Sequence, residues 1–354
     1  MNFSRNDTKV IKGVAICLML YHHLFAFPDR IAQDLVYFSA FDIGGSSAAY
    51  LIGNFGQICV CVFFLLGGYG TYLSCSRSSR LIPTVAQKIR GLYAAYWKVF
   101  AIMIPVCVIA GVPGITVDVK TLLFNVTGLK ITYCGEWWFF TTYIALMLFY
   151  PVLHLPLANT KKPAADVISW LLLAGCVYFL LPGAAGVTGN LMWYIFCKMA
   201  DYLPVFFMGC LFAKYDLLSA LRRKLTNPWL GIAASAAVLL VVFVMRISTG
   251  SMYDFLYTPA FVAAAYVMLS YPVFRIPYRI LLKIGSESTT IWLVHSMFCY
   301  MLCQRLVFIP RFTPIIFAWL LVICYATSAV FGKLYSTLSR LPDMLKAGCS
   351  RIRE

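Results

Sequence analysis

The sequence predicts an all-α, polytopic membrane bundle of about ten transmembrane helices. Of its 354 residues, 62% are hydrophobic and only 12% are charged, and the mean hydropathy is +0.82. Soluble globular proteins do not reach these values. Apolar runs of roughly 20 residues, the length that crosses a bilayer, recur along the whole chain with short polar breaks. These observations exclude a soluble enzyme, and no stretch indicates a separate soluble domain.

The predicted spans follow in order, each ending at a polar break. The first comes after Arg5, Lys9 and Lys12 and has no small-x-small cleavage site behind it, so we expect a retained helix and not a removed signal peptide. The fifth and sixth are separated only by the mildly polar connection "PGAAGVTGN". The predicted spans are 9–27, 48–75, 92–112, 137–156, 166–182, 192–213, 228–247, 254–271, 287–307 and 312–335.

The distribution of basic residues predicts the orientation, because Lys and Arg collect on the cytoplasmic side. Placing both termini in the cytoplasm puts 21 basic residues on that side and 6 on the other. We therefore predict a transmembrane domain over 1–340 and a cytoplasmic basic tail over 341–354. The net charge of +16 is spread over six short segments, so we attribute it to topology and to contact with anionic membrane lipids. We expect no nucleic-acid partner.

Cofactor signatures are absent from the sequence. The 13 cysteines fall mostly inside the spans, without C-x-x-C or a zinc-type Cys/His spacing, so we read them as small buried hydrophobes and expect no metal. There is also no G-x-G-x-x-G fingerprint, P-loop or G-x-S-x-G elbow.

Lys12 and His23 are candidate functional residues of the first span. Eleven residues of α-helix return to within roughly 20° of the starting direction and rise roughly 16 Å, so the two side chains share a face, whereas His22 points about 80° away. A neutral imidazole inside a bundle is a competent general base, since its ordinary pKa is about 6.5. The alternative is that Lys12 follows the positive-inside rule and that the histidines lie at the interface.

Six segments in order resemble the membrane acyltransferase 3 family. "KGVAICLMLYHH" resembles the first helix of that family, with its basic residue and, eleven positions on, its His. The segments "VCVFFLLGGYGTYL" from Val60, "KIRGLYAAYW" from Lys88, "EWWFFTTYIALMLFYPVL" from Glu136, "YLPVFFMGCLFAK" and "STTIWLVHSMF" resemble later family helices. Two positions depart from the pattern. Lys12 replaces the usual Arg and cannot make a bidentate fork, and Gly67 replaces the usual Ser.

The resemblance implies an integral membrane acyltransferase of the bacterial cytoplasmic membrane. It would transfer an acyl group, with acetyl as the common case, from cytoplasmic acyl-CoA to a hydroxyl of a cell-surface or lipid-linked glycan. By analogy, His23 deprotonates the acceptor hydroxyl or relays its proton, and Lys12 orients the donor; a transient acyl-histidine stays open. We expect Arg77, Arg80, Lys88 and Arg90 to meet the CoA phosphates, although topology alone also explains a basic cluster.

Three further residues are candidates for acceptor binding. Glu136 and Trp137 open the fourth span, where an acid beside indoles resembles a sugar-binding edge, although tryptophans are also usual in interfacial belts. His295 lies inside the ninth span, either as a functional group or as a hydrogen-bonded core histidine. Lys198 and Asp201 are spaced to pair with each other.

Two other function classes stay open at this point. A secondary transporter is compatible with ten spans and with glycine interruptions such as "LLGGYG", although the two halves show no similarity. A non-enzymatic assembly or sensor component would need neither histidine. The acceptor is not specified by the sequence, and whether the chain forms a homo-oligomer is also open.

Overall fold

The computed structural model describes residues 3–180 and 190–351, and these residues form a helical bundle. Its helices in chain order are α1 (Arg5–Phe25), α2 (Ala48–Gly56), α3 (Cys59–Ser76), α4 (Leu81–Ile109), α5 (Val119–Thr127), α6 (Trp138–Asn159), α7 (Pro163–Gly175), α8 (Leu191–Lys214), α9 (Leu217–Lys224), α10 (Pro228–Thr249), α11 (Asp254–Leu269), α12 (Arg275–Ser286), α13 (Ser288–Ser296), α14 (Gln304–Phe308) and α15 (Thr313–Arg351). Segments of π-helix follow α7 (Cys176–Leu180) and α13 (Met297–Leu302).

A short antiparallel hairpin lies between α1 and α2. Its strands are β1 (Asp42–Ile43) and β2 (Ser46–Ser47), with Asp42 opposite Ser47. Turns of 3-10 helix occur at Pro28–Arg30, Gly135–Trp137, Gly250–Tyr253 and Pro272–Phe274.

Six helical stretches of the described residues are long and apolar enough to cross a membrane. They are Ala48–Ser76, Leu81–Ile109, Gly135–Asn159, Leu191–Lys214, Pro228–Leu269 and Thr313–Ser339. Large aliphatic side chains face outward, as Leu240 and Val241 of α10 do with 63% and 60% exposure. An apolar exterior of this kind suits lipid, and the chain is a membrane protein.

The predicted number of ten spans is not confirmed, although each predicted span overlaps a helix. α1 contains Lys9, Lys12, His22 and His23, which lower its mean hydropathy. α7 and α13 have only 13 and 9 residues, fewer than the roughly 20 that a bilayer requires. The 3-10 turn at Gly250–Tyr253 joins α10 and α11 into one apolar stretch. The connection "PGAAGVTGN" and the end of the fifth span fall almost wholly outside the described residues.

The described part of the predicted tail is helical. α15 continues from the predicted tenth span through residue 351, so residues 341–351 of the predicted tail are continuous with that span. Neither the sides of the membrane on which the termini lie nor the boundary at 340 is tested by the fold, and both stay predictions.

Glycine contacts bring the helices of the core close together. A Cβ added to Gly68 of α3 would overlap the carbonyl oxygen of Phe206 in α8, and one added to Gly209 of α8 would overlap that of Leu65. The same reciprocal contact joins α1 to α12 at Gly13 and Gly285. Small residues at helix contacts let backbones approach closely, which gives the van der Waals packing that membrane bundles depend on.

A buried ion pair holds the break between α2 and α3. Arg246 at the end of α10 donates from Nε to Asp254 Oδ1 at 2.9 Å and from Nη1 to the carbonyl oxygen of Asn54 at 2.6 Å. Its Nη2 donates to Asp254 Oδ2 and to Gln57 Oε1, beside the helix break. Because both charges are buried and hydrogen-bonded, removing one partner costs about 3–5 kcal/mol.

Candidate active site

A cavity of about 370 Å³ extends along α1. Thr8 lines it near the start of the helix and His23 near the end. A helix rises roughly 22 Å between these two positions, so the cavity covers most of a hydrocarbon core of roughly 30 Å. The other walls come from α3, α4, α6 and α13. Because a cavity of about 370 Å³ is spread over this length, its cross-section is small and the cavity is a narrow passage.

The end of the cavity near Thr8 carries two lysines. Lys12 of α1 and Lys88 of α4 both line it, and Lys88 Nζ donates to the carbonyl oxygen of Gly70 at 3.1 Å. Neither lysine forms an ion pair within the described part of the chain. Gly70 and Gly91 leave open space beside them, since an added Cβ would meet nothing within 4 Å. This end therefore places two partly buried ammonium groups beside open space, an arrangement that suits an anion.

The three arginines of the predicted donor site lie outside the cavity. Arg77 ends α3 and Arg80 precedes α4, and both are exposed. Arg90 is also exposed, on a different face of α4 from Lys88. Gly70 and Lys88 lie seven and eight residues into the helices from Arg77 and Arg80, which corresponds to roughly 11–12 Å along each axis. The structure thus brings Lys88 to the cavity and leaves the arginines at the protein surface.

His23 lines the other end of the cavity and contacts His295 of α13 and Tyr300 of the π-helix that follows it. The ring centroids of His23 and His295 are 4.7 Å apart. The hydroxyl of Tyr300 donates to the carbonyl oxygen of His23 and lies 3.4 Å from its Nδ1. The π-helix over Met297–Leu302 contains Tyr300, and such segments are frequent at functional sites.

These contacts favour one tautomer of each imidazole. A tyrosine hydroxyl has a single proton, and with that of Tyr300 donated to the His23 carbonyl, the arrangement favours a proton on Nδ1 of His23. In that tautomer the lone pair of His23 is on Nε2. His295 Nδ1 lies 2.5 Å from the carbonyl oxygen of Trp292 and must donate to it, while His295 Nε2 has no hydrogen-bond partner among the described residues. His295 is completely buried behind His23 and does not line the cavity.

Glu136 lies at the His23 end of the cavity and pairs with Arg30. Its Oε1 is 3.0 Å from Arg30 Nη1. The Arg30 guanidinium also lies over the ring of Phe27, 4.3 Å from the centroid, and 5.4 Å from the centroid of Tyr300. The charged pair beside His23 is thus held against aromatic rings.

The structure brings Trp138, and not Trp137, to the cavity. Trp137 is fully buried, its Nε1–H donates to the carbonyl oxygen of Leu293 at 2.9 Å, and its ring packs against Tyr96. Trp138 lines the cavity beside Phe139 and Tyr143. The 3-10 turn at Gly135–Trp137 sets which of the two indoles faces inward, because α6 begins only at Trp138. Trp137 therefore exposes no surface with which it could contact an acceptor.

The remaining polar candidates have structural partners. His22 is buried, with Nδ1 2.8 Å from the carbonyl oxygen of Gly53, so it fastens α1 to α2 and is absent from the cavity. Lys198 and Asp201 are 3.8 Å apart, as their spacing predicts. The ring of His154 contacts the hydroxyl of Tyr150 at 2.9 Å.

Three residues of the site escaped sequence reasoning. Arg30 entered only the count of basic residues, and Tyr143 and Tyr300 were not singled out. Trp138 was considered as one of the two indoles beside Glu136, but Trp137 was the predicted site residue. The contacts of Arg30 and Tyr300 join positions 106 and 277 residues apart, which no local pattern encodes. Tyr143 lies four residues after Phe139 on the same predicted span, and this i, i+4 spacing was the available signal.

The fold and cavity define a polytopic membrane protein with a largely apolar passage that carries two lysines at one end and an imidazole at the other. A family model described as "Acyltransferase domain", that of the acyltransferase 3 family, matches residues 6–333. The match covers nearly the whole chain, so this protein belongs to the acyltransferase 3 family. A comparison with curated proteins finds no match, and neither does a comparison with solved structures.

Proposed function

We propose that this protein transfers an acyl group, acetyl in the expected case, from cytoplasmic acyl-CoA to a hydroxyl of a cell-surface or lipid-linked glycan. The cavity is the observation that carries the proposal, because one narrow passage joins Lys12 and Lys88 to His23. Donor and acceptor lie on opposite sides of a bilayer, so a thioester arm must cross part of the protein. The family assignment supports an acyltransferase and gives no support to a transporter.

The donor would bind with its phosphates at the lysine end. Lys12 and Lys88 lack counter-ions in the described residues and face a space that Gly70 and Gly91 keep open. Ammonium groups bind phosphate as point charges, which suits a flexible pyrophosphate arm. The exposed Arg77, Arg80 and Arg90 would act on parts of CoA that stay outside the cavity. The acyl arm would then extend along α1 toward His23.

His23 would be the general base of the transfer. Its Nε2 carries the lone pair and takes the proton of the acceptor hydroxyl as the hydroxyl oxygen attacks the thioester carbonyl carbon. The carbon–sulfur bond breaks, and the same proton can pass from His23 to the leaving sulfur. Tyr300 and His295 hold the ring in this orientation. Lys12 would orient the donor.

Two measurements on the purified protein in nanodiscs test the proposal. Acetyl-CoA should raise the melting temperature, because a ligand selective for the folded state stabilises it. Labelled acetyl should pass from acetyl-CoA to a glycan fraction of bacterial cytoplasmic membranes. Absence of both effects, together with substrate-dependent flux in sealed vesicles, would replace the proposal with a transporter.

A further inference from the structure

A second cavity of about 360 Å³ lies on the opposite side of the first turns of α6. Residues 129–131 line it from the connection before α6, and Asn190, Tyr194 and Lys198 line it from the start of α8. Trp138 is only two residues from Glu136, so this cavity is beside the His23 end of the first cavity and distant from Lys12.

Trp138 is the partition between the two cavities, since it lines both. Phe139 and Tyr143 face the first cavity, whereas Thr141 and Thr142 face the second. A movement of the Trp138 ring would therefore join the second cavity to the passage that contains His23. The first cavity is narrow, so a bulky acceptor needs space of its own beside it.

The second cavity has the chemistry of an anionic sugar site. Lys130 and Lys198 line it, and none of its lining residues within 3–180 and 190–351 is acidic, although Asp201 lies 3.8 Å from Lys198 just outside the lining. Lys130 forms no ion pair in the described part of the chain. Trp138 and Tyr194 add aromatic surface on which the apolar face of a sugar ring can pack. Lysine ammonium groups beside aromatic side chains favour a ligand that combines an anionic group with a flat, partly apolar ring.

We infer that this second cavity is the acceptor subsite and that it binds a saccharide bearing a phosphate or carboxylate, as a lipid-linked glycan does. That the bound saccharide is the acceptor rests on the proposed function. The binding of the saccharide itself does not depend on that function. The phosphate of a membrane phospholipid has the same charge. The aromatic surface and the shared Trp138 wall favour the sugar, because a phospholipid headgroup needs neither.

Glucose 1-phosphate is the test probe, titrated against the full-length protein in phosphatidylcholine nanodiscs. We expect it to bind at least about tenfold more tightly than glucose or inorganic phosphate, because both the ring and the charge are recognised. Lys130→Gln should weaken binding about 5–10-fold by removing one of the two cations. Lys120→Gln is the matched control, since Lys120 is exposed nearby in sequence but outside the cavity, and should leave the affinity unchanged.

Several results would overturn the inference. One is equal binding by the parent and Lys130→Gln, and another is glucose binding as tightly as glucose 1-phosphate. Stabilisation by phosphatidylglycerol nanodiscs without any sugar effect would make the cavity a lipid site. Acetyl-CoA stabilisation separates the two proposals. If it persists while glucose 1-phosphate fails to bind, only the acceptor subsite is wrong; if it is lost while the sugar phosphate binds, the transferase proposal is wrong.

Discussion

The two ends of the first cavity are built in different ways. The lysine end is open and lightly held: Lys88 has one hydrogen bond, to Gly70, and Lys12 forms no ion pair in the described residues. The histidine end is constrained, because His23 touches Tyr300 and His295, and Arg30 pairs with Glu136 beside them.

This difference matches what binding and chemistry demand. A flexible phosphate arm needs charge and space, whereas proton transfer needs an imidazole in one tautomer and one orientation. Substitutions at the lysine end should therefore change the KM for the donor, and substitutions at the histidine end should change kcat. A substitution at the lysine end that changes mainly kcat, or one at the histidine end that changes mainly KM, would contradict this difference between the two ends.

The largest effect is expected at His23. His23→Ala should lower kcat by about 10²–10⁴-fold, the usual contribution of a general base, in an assay of labelled acetyl transfer. His22→Ala is the matched control. It should largely keep activity while losing about 1–3 kcal/mol of stability, because the carbonyl oxygen of Gly53 loses its buried partner. Equal activity of both variants and the parent would remove His23 from the mechanism.

Tyr300→Phe should have the next largest effect. Without the hydroxyl, Nδ1–H of His23 loses its acceptor and the ring is no longer held in one tautomer, so kcat should fall about tenfold with little change in KM. Tyr257→Phe is the control, because its hydroxyl bonds to Thr249 away from the cavity. A rise in KM alone would place Tyr300 in binding and blur the difference between the two ends.

At the lysine end, Lys12→Gln and Lys88→Gln should each raise the KM for acetyl-CoA about tenfold, or roughly 1.4 kcal/mol, with kcat within a few-fold. Lys9→Gln is the matched control, since Lys9 is exposed on the same helix as Lys12 and lies outside the cavity. Lys12→Arg, which restores the usual family residue, should keep or improve activity. Loss of activity in Lys12→Arg would show a role for the amine that the resemblance does not cover.

The smallest effect is expected midway, at Gly67. A Cβ there would lie 2.7 Å from Cε2 of Tyr143, so Gly67→Ser must shift the Tyr143 ring within the cavity. We expect kcat/KM to fall only about 2–5-fold, because the ring can move by a few tenths of an ångström. Gly332→Ala is the control, because an added Cβ meets nothing within 4 Å there and Gly332 lies outside the cavity. Identical kinetics for Gly67→Ser and the parent would mean that the donor does not pass Tyr143.

Helical periodicity predicted the part of the site that lies on one helix. The shared face of Lys12 and His23, and the different direction of His22, are both observed, because α1 is regular between them. The acyltransferase 3 family was also recognised from ordered motifs, and the family match confirms it. The roles of the individual residues stay predictions.

Contacts between distant segments could not be predicted. Glu136 was a candidate, but its partner Arg30 is 106 positions away. Which of Trp137 and Trp138 faces the cavity depends on the 3-10 turn at Gly135–Trp137. The hydropathy pattern does not show where this turn ends and α6 begins. The count of ten spans is not confirmed, because α7 and α13 are short and the 3-10 turn at Gly250–Tyr253 joins α10 and α11 into one apolar stretch.

The structure of this protein bound to a non-hydrolysable acetyl-CoA analogue would test the central claim most directly. We expect the phosphates beside Lys12 and Lys88, the arm along α1, and the carbonyl carbon close enough to His23 for one hydroxyl oxygen to bridge them, with reacting atoms about 3–3.5 Å apart. An analogue bound only at the exposed arginines, with its acyl group outside the cavity, would contradict the account.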